Sequence, residues 1–132
     1  SKTAGVGYCF GGAVVLEMAR SGADIDGVVS IHGSLGTANP AKKGKLKSKI
    51  LVLHGEADKL IPDTDIFNFG KEMAAAGADL IFISYKDAPH AFTNPEATKM
   101  GKKFGIPIAY QKAADEASWA EMKSFLAKTL GN

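Results

Sequence analysis

The chain has 132 residues, of which 45% are hydrophobic and 23% are charged, and its formal net charge is +2. This is enough apolar material for one core, so we expect a single domain over residues 1–132, and the nearly balanced charge gives no reason to expect nucleic acid or an anionic membrane as a partner. One cysteine excludes a disulfide within the chain, no apolar run approaches the roughly 20 residues that span a bilayer, and no signal-peptide pattern is visible, so we expect a cytoplasmic protein.

Strand-like and helix-like segments alternate along the chain. The two middle apolar runs do not alternate with polar residues, which is typical of strands buried on both faces of a parallel sheet. In chain order we predict strand 2–8, helix 13–20, strands 27–31 and 50–53, a helix that begins at residues 62–64 and ends at Gly77, strand 80–85, and a C-terminal helix followed by Gly131. This order predicts an α/β domain with a mostly parallel sheet and flanking helices.

The sequence allows more specific predictions for three segments. Residues 39–49 contain five lysines, and we favour a solvated connection between strands over an anion-binding patch. Residues 95–107 combine a short helical pattern with glycines and prolines that favour loop. The C-terminal helix is predicted to bury one apolar stripe, made of Trp119, Met122, Phe125, Leu126 and Leu130.

The first candidate site is the turn that follows the first strand, with the pattern G-x-C-x-G-G over residues 7–12. A tight turn of this kind from strand to helix pushes its middle side chain into a site, and glycines at 7 and 11, with 12 as a further position, let the chain pass closely. The turn places the thiol of Cys9 at a helix N-terminus, which favours thiolate, and aims the backbone N–H of Phe10 at a developing oxyanion. A lone cysteine is otherwise a small buried hydrophobe, but this context favours a nucleophile.

Two further candidates follow later strands. Asp58 comes after the third strand, where an acid can hold a histidine in one tautomer, and Glu56 competes for that role. For the neighbouring His54 we favour a hydrogen-bonded place at the strand end. His90 follows the last strand and completes the chain order nucleophile, acid, base. Because ligands bind at the carboxyl ends of parallel strands, Cys9, Asp58 and His90 are predicted to converge there.

Three more residues are candidates for the wall of a pocket. His32 follows the second strand and would lie on the same rim of the sheet. Tyr8 and Phe92 flank the predicted catalytic residues, and aromatic side chains at these positions are as compatible with the core as with a pocket. Nothing in the sequence predicts a metal site.

These motifs together resemble the dienelactone hydrolase family, a branch of the α/β-hydrolases that uses cysteine in place of serine. The resemblance rests on three segments in register, at residues 7–12, 54–58 and 90–92, and on an alanine-rich helix with a tryptophan at 113–119. It implies that Cys9, Asp58 and His90 are nucleophile, acid and base. The implied activity is hydrolysis of a small-molecule ester or lactone through an acyl-enzyme, without a cofactor.

The resemblance also implies a truncated α/β-hydrolase fold, because the family's cysteine turn normally lies in the middle of the domain. The earlier portion would supply more of the sheet, a second oxyanion N–H and an acidic residue that interacts with the resting cysteine. Asp87 and Ala88 stand where relatives commonly have a glycine before the histidine. The first strand would then have an open edge, so we expect a homodimer formed through residues 2–8.

Two other interpretations stay open. A truncated hydrolase fold could be catalytically weak or silent and act as a binding or oligomeric subunit. The chain could also be a fragment of a longer enzyme. Because the predicted triad and its glycines are all present, we favour the hydrolase.

Overall fold

A computed structural model describes residues 1–131 of the chain. It contains the four predicted strands and four helices, and the strands form one sheet. The elements are β1 Ala4–Tyr8, α1 Phe10–Arg20, β2 Gly27–Ile31, β3 Lys49–Gly55, α2 Asp63–Ala76, β4 Leu80–Tyr85, α3 Ala97–Phe104 and α4 Lys112–Leu130. Within the described range, no helix has the length and apolarity needed to cross a membrane.

The sheet is parallel throughout, in the order β1-β2-β3-β4. The two central strands are almost wholly buried, which explains why their sequences are continuous apolar runs. β1 and β4 are the edge strands. Because all four strands run the same way, the loops after their carboxyl ends gather at one rim, and the candidate site residues lie in those loops.

The core has two halves, one on each face of the sheet. Alternate residues of a strand point to opposite faces, so Val28 and Ile50 join one hydrophobic cluster and Val29 and Leu51 join the other. Helices α1 and α2 pack on the first face, through residues that include Leu16 and Phe69. Helix α4 covers the second face. The result is a three-layer α/β/α domain.

The buried stripe of α4 differs from the predicted one. It consists of Ala114, Ser118, Met122, Phe125 and Thr129. Met122 and Phe125 are therefore buried as expected, but the prediction for Trp119 is wrong, since 53% of this residue is exposed. Trp119 directly follows Ser118 and is rotated about 100° from it around the helix. The size of the indole misled the pattern, because small residues fill the buried positions at this end.

The remaining boundaries differ in detail. Helix α1 begins at Phe10, three residues before the predicted start, because the turn leads directly into the helix. Helix α3 occupies eight residues of the ambiguous segment 95–107. The lysine-rich connection between β2 and β3 contains no helix or strand, and Lys42, Lys43, Lys45 and Lys47 are exposed on it, as the solvated interpretation expects.

A buried ion pair between helices was not predicted. Arg20 at the end of α1 donates from Nε and Nη2 to the carboxylate of Glu72 on α2, at 2.7 and 2.8 Å. Its Nη2 also donates to the carbonyl of Leu35 at 2.8 Å, and the side chains of Arg20 and Glu72 are only 2% and 7% exposed. The pair ties both helices to the loop after β2, on the sheet face opposite α4.

Candidate active site

Cys9 occupies the sharp turn between β1 and α1, in a backbone conformation with φ 53° and ψ −119°. A non-glycine residue with positive φ is uncommon, and such strain concentrates at functional sites. The turn is possible because the chain packs closely on itself. A Cβ built at Gly7 would overlap the backbone carbonyl of Gly11, and one at Gly12 would lie 2.6 Å from Ser30 Oγ.

The glycine requirement therefore falls on positions 7 and 12. A Cβ at Gly11 would meet nothing within 4 Å among the described residues, so the steric argument made from the sequence is wrong for that position. Gly11 lies inside the first turn of α1 with its Cα facing open space. The pattern alone could not separate the three glycines, because their difference depends on which backbone atoms oppose them.

The amide of Phe10 lies at the start of α1, as predicted. The carbonyl of Cys9 accepts from the N–H groups of Gly12 and Ala13 at 3.0 and 3.4 Å, which closes the first helical turn. The first N–H groups of a helix have no earlier carbonyl of that helix to bond, so the amide of Phe10 is free to serve a ligand beside the thiol. The Phe10 side chain is 82% exposed and takes no part in this arrangement.

Asp58 and His90 meet across the loops that follow β3 and β4. His90 Nδ1 lies 2.8 Å from Asp58 Oδ2, and the Asp58 side chain is fully buried. The other oxygen of Asp58 accepts from the backbone N–H of Leu60 at 2.9 Å. Glu56, the competing acid, is exposed. The hydrogen bond to Asp58, together with the nearby thiol of Cys9, raises the pKa of His90 to about 9.

The cysteine has a second histidine neighbour. Cys9 Sγ lies 3.2 Å from His32 Nδ1, and His32 Nε2 lies 2.8 Å from the hydroxyl of Thr93. The hydrogen bond to His32, followed by the nearby imidazole of His90, lowers the pKa of Cys9 to about 6 against the opposing effect of burial. A thiol with this pKa is mainly thiolate at neutral pH, which is the nucleophilic form.

The sequence placed His32 on the rim of the sheet but not against the sulfur. The strand register contains the missing information, because Tyr8 of β1 pairs with Ile31 of β2. The residues that follow each of these two, Cys9 and His32, therefore leave the sheet side by side. His32 also has a positive φ, 40°, so its backbone turns sharply just as that of Cys9 does. The role of Thr93 had no signal in the sequence.

Of the two aromatic residues predicted as candidates for the pocket wall, one lies in the core and the other is partly exposed. Phe92 is fully buried in the hydrophobic cluster that contains α4, with its ring edge-on to His32 at a centroid distance of 5.0 Å. Tyr8 is 41% exposed, and its ring centroid lies 5.8 Å from that of His32. Phe92 is thus a core residue that supports His32, whereas a pocket role for Tyr8 stays a prediction.

His54 lies apart from this cluster. Its ring is buried against Phe82 at a centroid distance of 5.7 Å, and burial lowers its pKa. The sequence favoured a hydrogen-bonded histidine at this strand end, but its Nδ1 has no hydrogen-bond partner among the described residues. His54 is therefore a packing residue of β3.

Comparison with known proteins identifies the family. The model of the dienelactone hydrolase family matches residues 1–130 of the 132-residue chain. The chain belongs to the dienelactone hydrolase family. Its four-stranded parallel sheet with flanking helices confirms the expectation of a truncated α/β-hydrolase fold.

The related proteins are longer than this chain. An uncharacterized protein of Caenorhabditis elegans is 34% identical over 127 residues, which are 95% of this chain and 78% of that protein. The crystal structure of a dienelactone hydrolase-like promiscuous phosphotriesterase from metagenomic libraries is 34% identical, with a TM-score of 0.86, over 98% of this chain and 53% of that one. A structure named m3DLH is 32% identical, with a TM-score of 0.87, over 96% and 51%. The chain spans about half the length of these two solved structures.

Proposed function

We propose that this chain hydrolyses small carboxylic esters or lactones through an acyl-enzyme formed on Cys9. The proposal is supported by the geometry of the three residues: His90 Nδ1 lies 2.8 Å from the buried carboxylate of Asp58, and a ring nitrogen of His90 lies within 4.8 Å of the Cys9 sulfur. Dienelactone hydrolase family membership supports the same chemistry. The lowered pKa of Cys9 and the raised pKa of His90 favour a thiolate–imidazolium pair at neutral pH.

In the first half of the reaction, the thiolate of Cys9 attacks the carbonyl carbon and a C–S bond forms. Negative charge moves to the carbonyl oxygen, where the N–H of Phe10 donates a hydrogen bond. The tetrahedral intermediate then collapses, the C–O bond to the leaving group breaks, and the imidazolium of His90 gives its proton to the departing oxygen. The products are a thioester on Cys9 and a free alcohol, or a tethered hydroxyl when the substrate is a lactone.

In the second half, water hydrolyses the thioester. Neutral His90 removes a proton from water as the oxygen attacks the acyl carbon, and the C–S bond breaks to release the carboxylic acid and the thiolate. Asp58 holds Nδ1–H of His90, so Nε2 is the nitrogen that exchanges protons in both halves. Since the carboxylate is fully buried and also bonded to Leu60, the imidazole is held in one orientation.

His32 is proposed as a positioning residue for the resting nucleophile. The family resemblance implies an acidic partner for the resting cysteine, and in this chain the nearest described partner of the sulfur is a histidine at 3.2 Å. A hydrogen bond from Nδ1–H of His32 would stabilise the thiolate while the hydroxyl of Thr93 donates to Nε2. Such a reactive thiolate needs reducing surroundings, which is consistent with the expected cytoplasmic location.

We also propose that the chain associates through its first strand and first helix. β1 is an edge strand, and Val6 and Tyr8 on it are each at least 40% exposed. Beside it, α1 exposes Val14 and Met18, at 41% and 40%. An exposed strand edge next to apolar side chains favours pairing with another chain, here a second copy. Sedimentation that finds only a folded monomer at micromolar concentration would refute the homodimer.

The test of the proposed activity is the release of p-nitrophenol from p-nitrophenyl acetate by the wild type, Cys9→Ala and His90→Ala. Loss of turnover in both variants is expected, because one lacks the nucleophile and the other cannot activate water. His54→Gln is the matched control, since His54 lies outside the cluster and its variant should retain turnover. If all folded proteins match the buffer rate, the hydrolase proposal fails and a silent binding subunit becomes the better account.

A further inference from the structure

The two imidazoles and the thiol of the proposed ester site also form a set of donors that could bind a metal ion. One ligating atom each from Cys9, His32 and His90 lies within 4.8 Å of the other two. We propose that these three side chains bind one Zn²⁺ ion, and that the bound metal reversibly blocks the hydrolase site. The inhibition rests on the proposed function, whereas the binding rests on geometry alone.

The donor types are those that zinc prefers. Zinc takes thiolate sulfur at about 2.3 Å and imidazole nitrogen at about 2.0–2.1 Å in tetrahedral sites. Two ligands of one such ion are therefore roughly 3.3–3.6 Å apart. The sulfur of Cys9 and Nδ1 of His32 are already 3.2 Å apart. His90 lies within the 4.8 Å limit, so a modest rotation of its side chain would complete the set.

Each imidazole already has the hydrogen bond that a metal-binding histidine needs on its other nitrogen. Histidine ligands almost always donate their second N–H to a carboxylate, a backbone carbonyl or a water molecule, which fixes the tautomer, and a hydroxyl oxygen such as that of Thr93 can accept in the same way. His90 Nδ1 is held by Asp58 at 2.8 Å, so Nε2 is the nitrogen that would bind the metal, after release of its proton. His32 Nε2 lies 2.8 Å from the hydroxyl of Thr93. For metal binding, His32 would change tautomer from the one proposed for the resting enzyme, so that Nε2–H donates to Thr93 and the Nδ1 lone pair faces the sulfur. Both histidines beside the thiol therefore have a partner on the nitrogen that would face away from the metal.

Charge and access also fit a divalent cation. The thiolate and the carboxylate of Asp58 behind His90 together offset two positive charges. Cys9 and His90 are partly exposed, so an ion can reach them from solvent, and a water could take the fourth position. The bound ion would occupy the sulfur lone pair that attacks the ester and the Nε2 of His90 that moves protons. Zinc-loaded protein would therefore have neither a free nucleophile nor a free base.

The experiment is a titration of metal-free protein, in the absence of ester, with Co²⁺ as a spectroscopic substitute and then with Zn²⁺ in competition with a chromophoric chelator. We expect one ion per chain, a cobalt–thiolate charge-transfer band in the near ultraviolet and the intense visible bands of a tetrahedral site. Cys9→Ser should lose the charge-transfer band. His32→Gln should weaken affinity by more than tenfold, and Thr93→Val by about 10–100-fold through its support of the imidazole.

His54→Gln serves as the control, because His54 is the one histidine outside the cluster. Its metal affinity should equal that of the wild type, and circular dichroism should confirm that every variant folds. Zn²⁺ should then inhibit ester turnover over the same concentration range in which it binds. Absence of one-to-one binding, or equal affinity in the wild type, Cys9→Ser and His32→Gln, would overturn the proposal. An inactive protein that still shows the cobalt spectrum would instead refute only the hydrolase.

Discussion

Substituting alanine for Gly7 tests whether the backbone of the cysteine turn is as tightly packed as the structure indicates. A Cβ at this position would overlap the carbonyl of Gly11 and lie 2.6 Å from the amide nitrogen of Gly12. Real Cβ atoms essentially never approach closer than 3.0 Å, and backbone atoms cannot rotate away as a side-chain end can. Relief therefore requires β1 and the start of α1 to separate, which carries Cys9 away from His90.

The expected cost has two parts. Overpacking of this kind typically destabilises a fold by about 1–3 kcal/mol, and displacement of a reacting group by about 1 Å can reduce the rate on the order of 10²-fold. We therefore expect Gly7→Ala to lower both the urea midpoint and kcat/KM for p-nitrophenyl acetate. Gly11→Ala is the matched control, because its Cβ has open space and alanine is the better helix former by about 0.5–1 kcal/mol. A Gly7→Ala protein with wild-type stability and kinetics would refute this account of the turn.

Three further predictions concern charge. The first concerns an alkyl ester, whose leaving alkoxide needs a proton. Its kcat/KM should rise as the thiol of Cys9 ionises near pH 6 and fall as His90 loses its proton near pH 9. A flat profile from pH 5 to 10 would contradict the proposed thiolate–imidazolium pair. His32→Gln should shift the rise in kcat/KM to higher pH, toward the ordinary thiol pKa of about 8.5. An unchanged pH for this rise would show that His32 does not stabilise the thiolate. Glu72→Ala should lower the free energy of unfolding in urea by about 1–3 kcal/mol, because it removes the acceptors of two hydrogen bonds from the buried Arg20, which keeps its 2.6 Å contact with Glu17. Replacing Glu116 by alanine should change it by less than about 1 kcal/mol, since Glu116 forms only an exposed pair with Lys112 at 3.8 Å.

The strands and the order of the site residues could be predicted because each is indicated by a short stretch of neighbouring residues. Continuous apolar runs such as 27–31 predicted strands buried on both faces, and the structure has them there. The turn at Cys9 was visible as glycines on both sides of one reactive residue. Asp58 and His90 follow β3 and β4, and the common direction of parallel strands explains why they meet.

The contacts that the sequence could not provide depend on which strands are neighbours. His32 reaches the sulfur only because β2 pairs with β1 in a register that places residues 9 and 32 together. The ion pair of Arg20 with Glu72 joins two helices across 52 positions of the chain. The prediction that Trp119 is buried failed for a different reason. It assumed that the most hydrophobic side chains form the buried face of α4, whereas that face includes small residues such as Ala114 and Ser118.

The error at Gly11 also came from contacts that the sequence does not reveal. Gly7 and Gly11 both flank Cys9 in the motif, and only the atoms that lie opposite each glycine in the fold distinguish them. The loop before His90 is a similar case: the resemblance places a glycine at Asp87 or Ala88, and the structure gives Asp87 a positive φ of 60°. Aspartate tolerates this conformation better than most residues, which accounts for the departure from the glycine-containing loop.

In the proposed mechanism, Cys9 carries the acyl group during turnover. The direct test is to quench the protein with acid while it hydrolyses p-nitrophenyl acetate, digest it and measure the mass of the peptide that contains Cys9, with His90→Ala as a variant in which deacylation should be slow. We expect an acetyl group on this single cysteine in the wild type and its accumulation in His90→Ala. Sustained turnover with an unmodified Cys9 peptide, or undiminished turnover in Cys9→Ala, would contradict it.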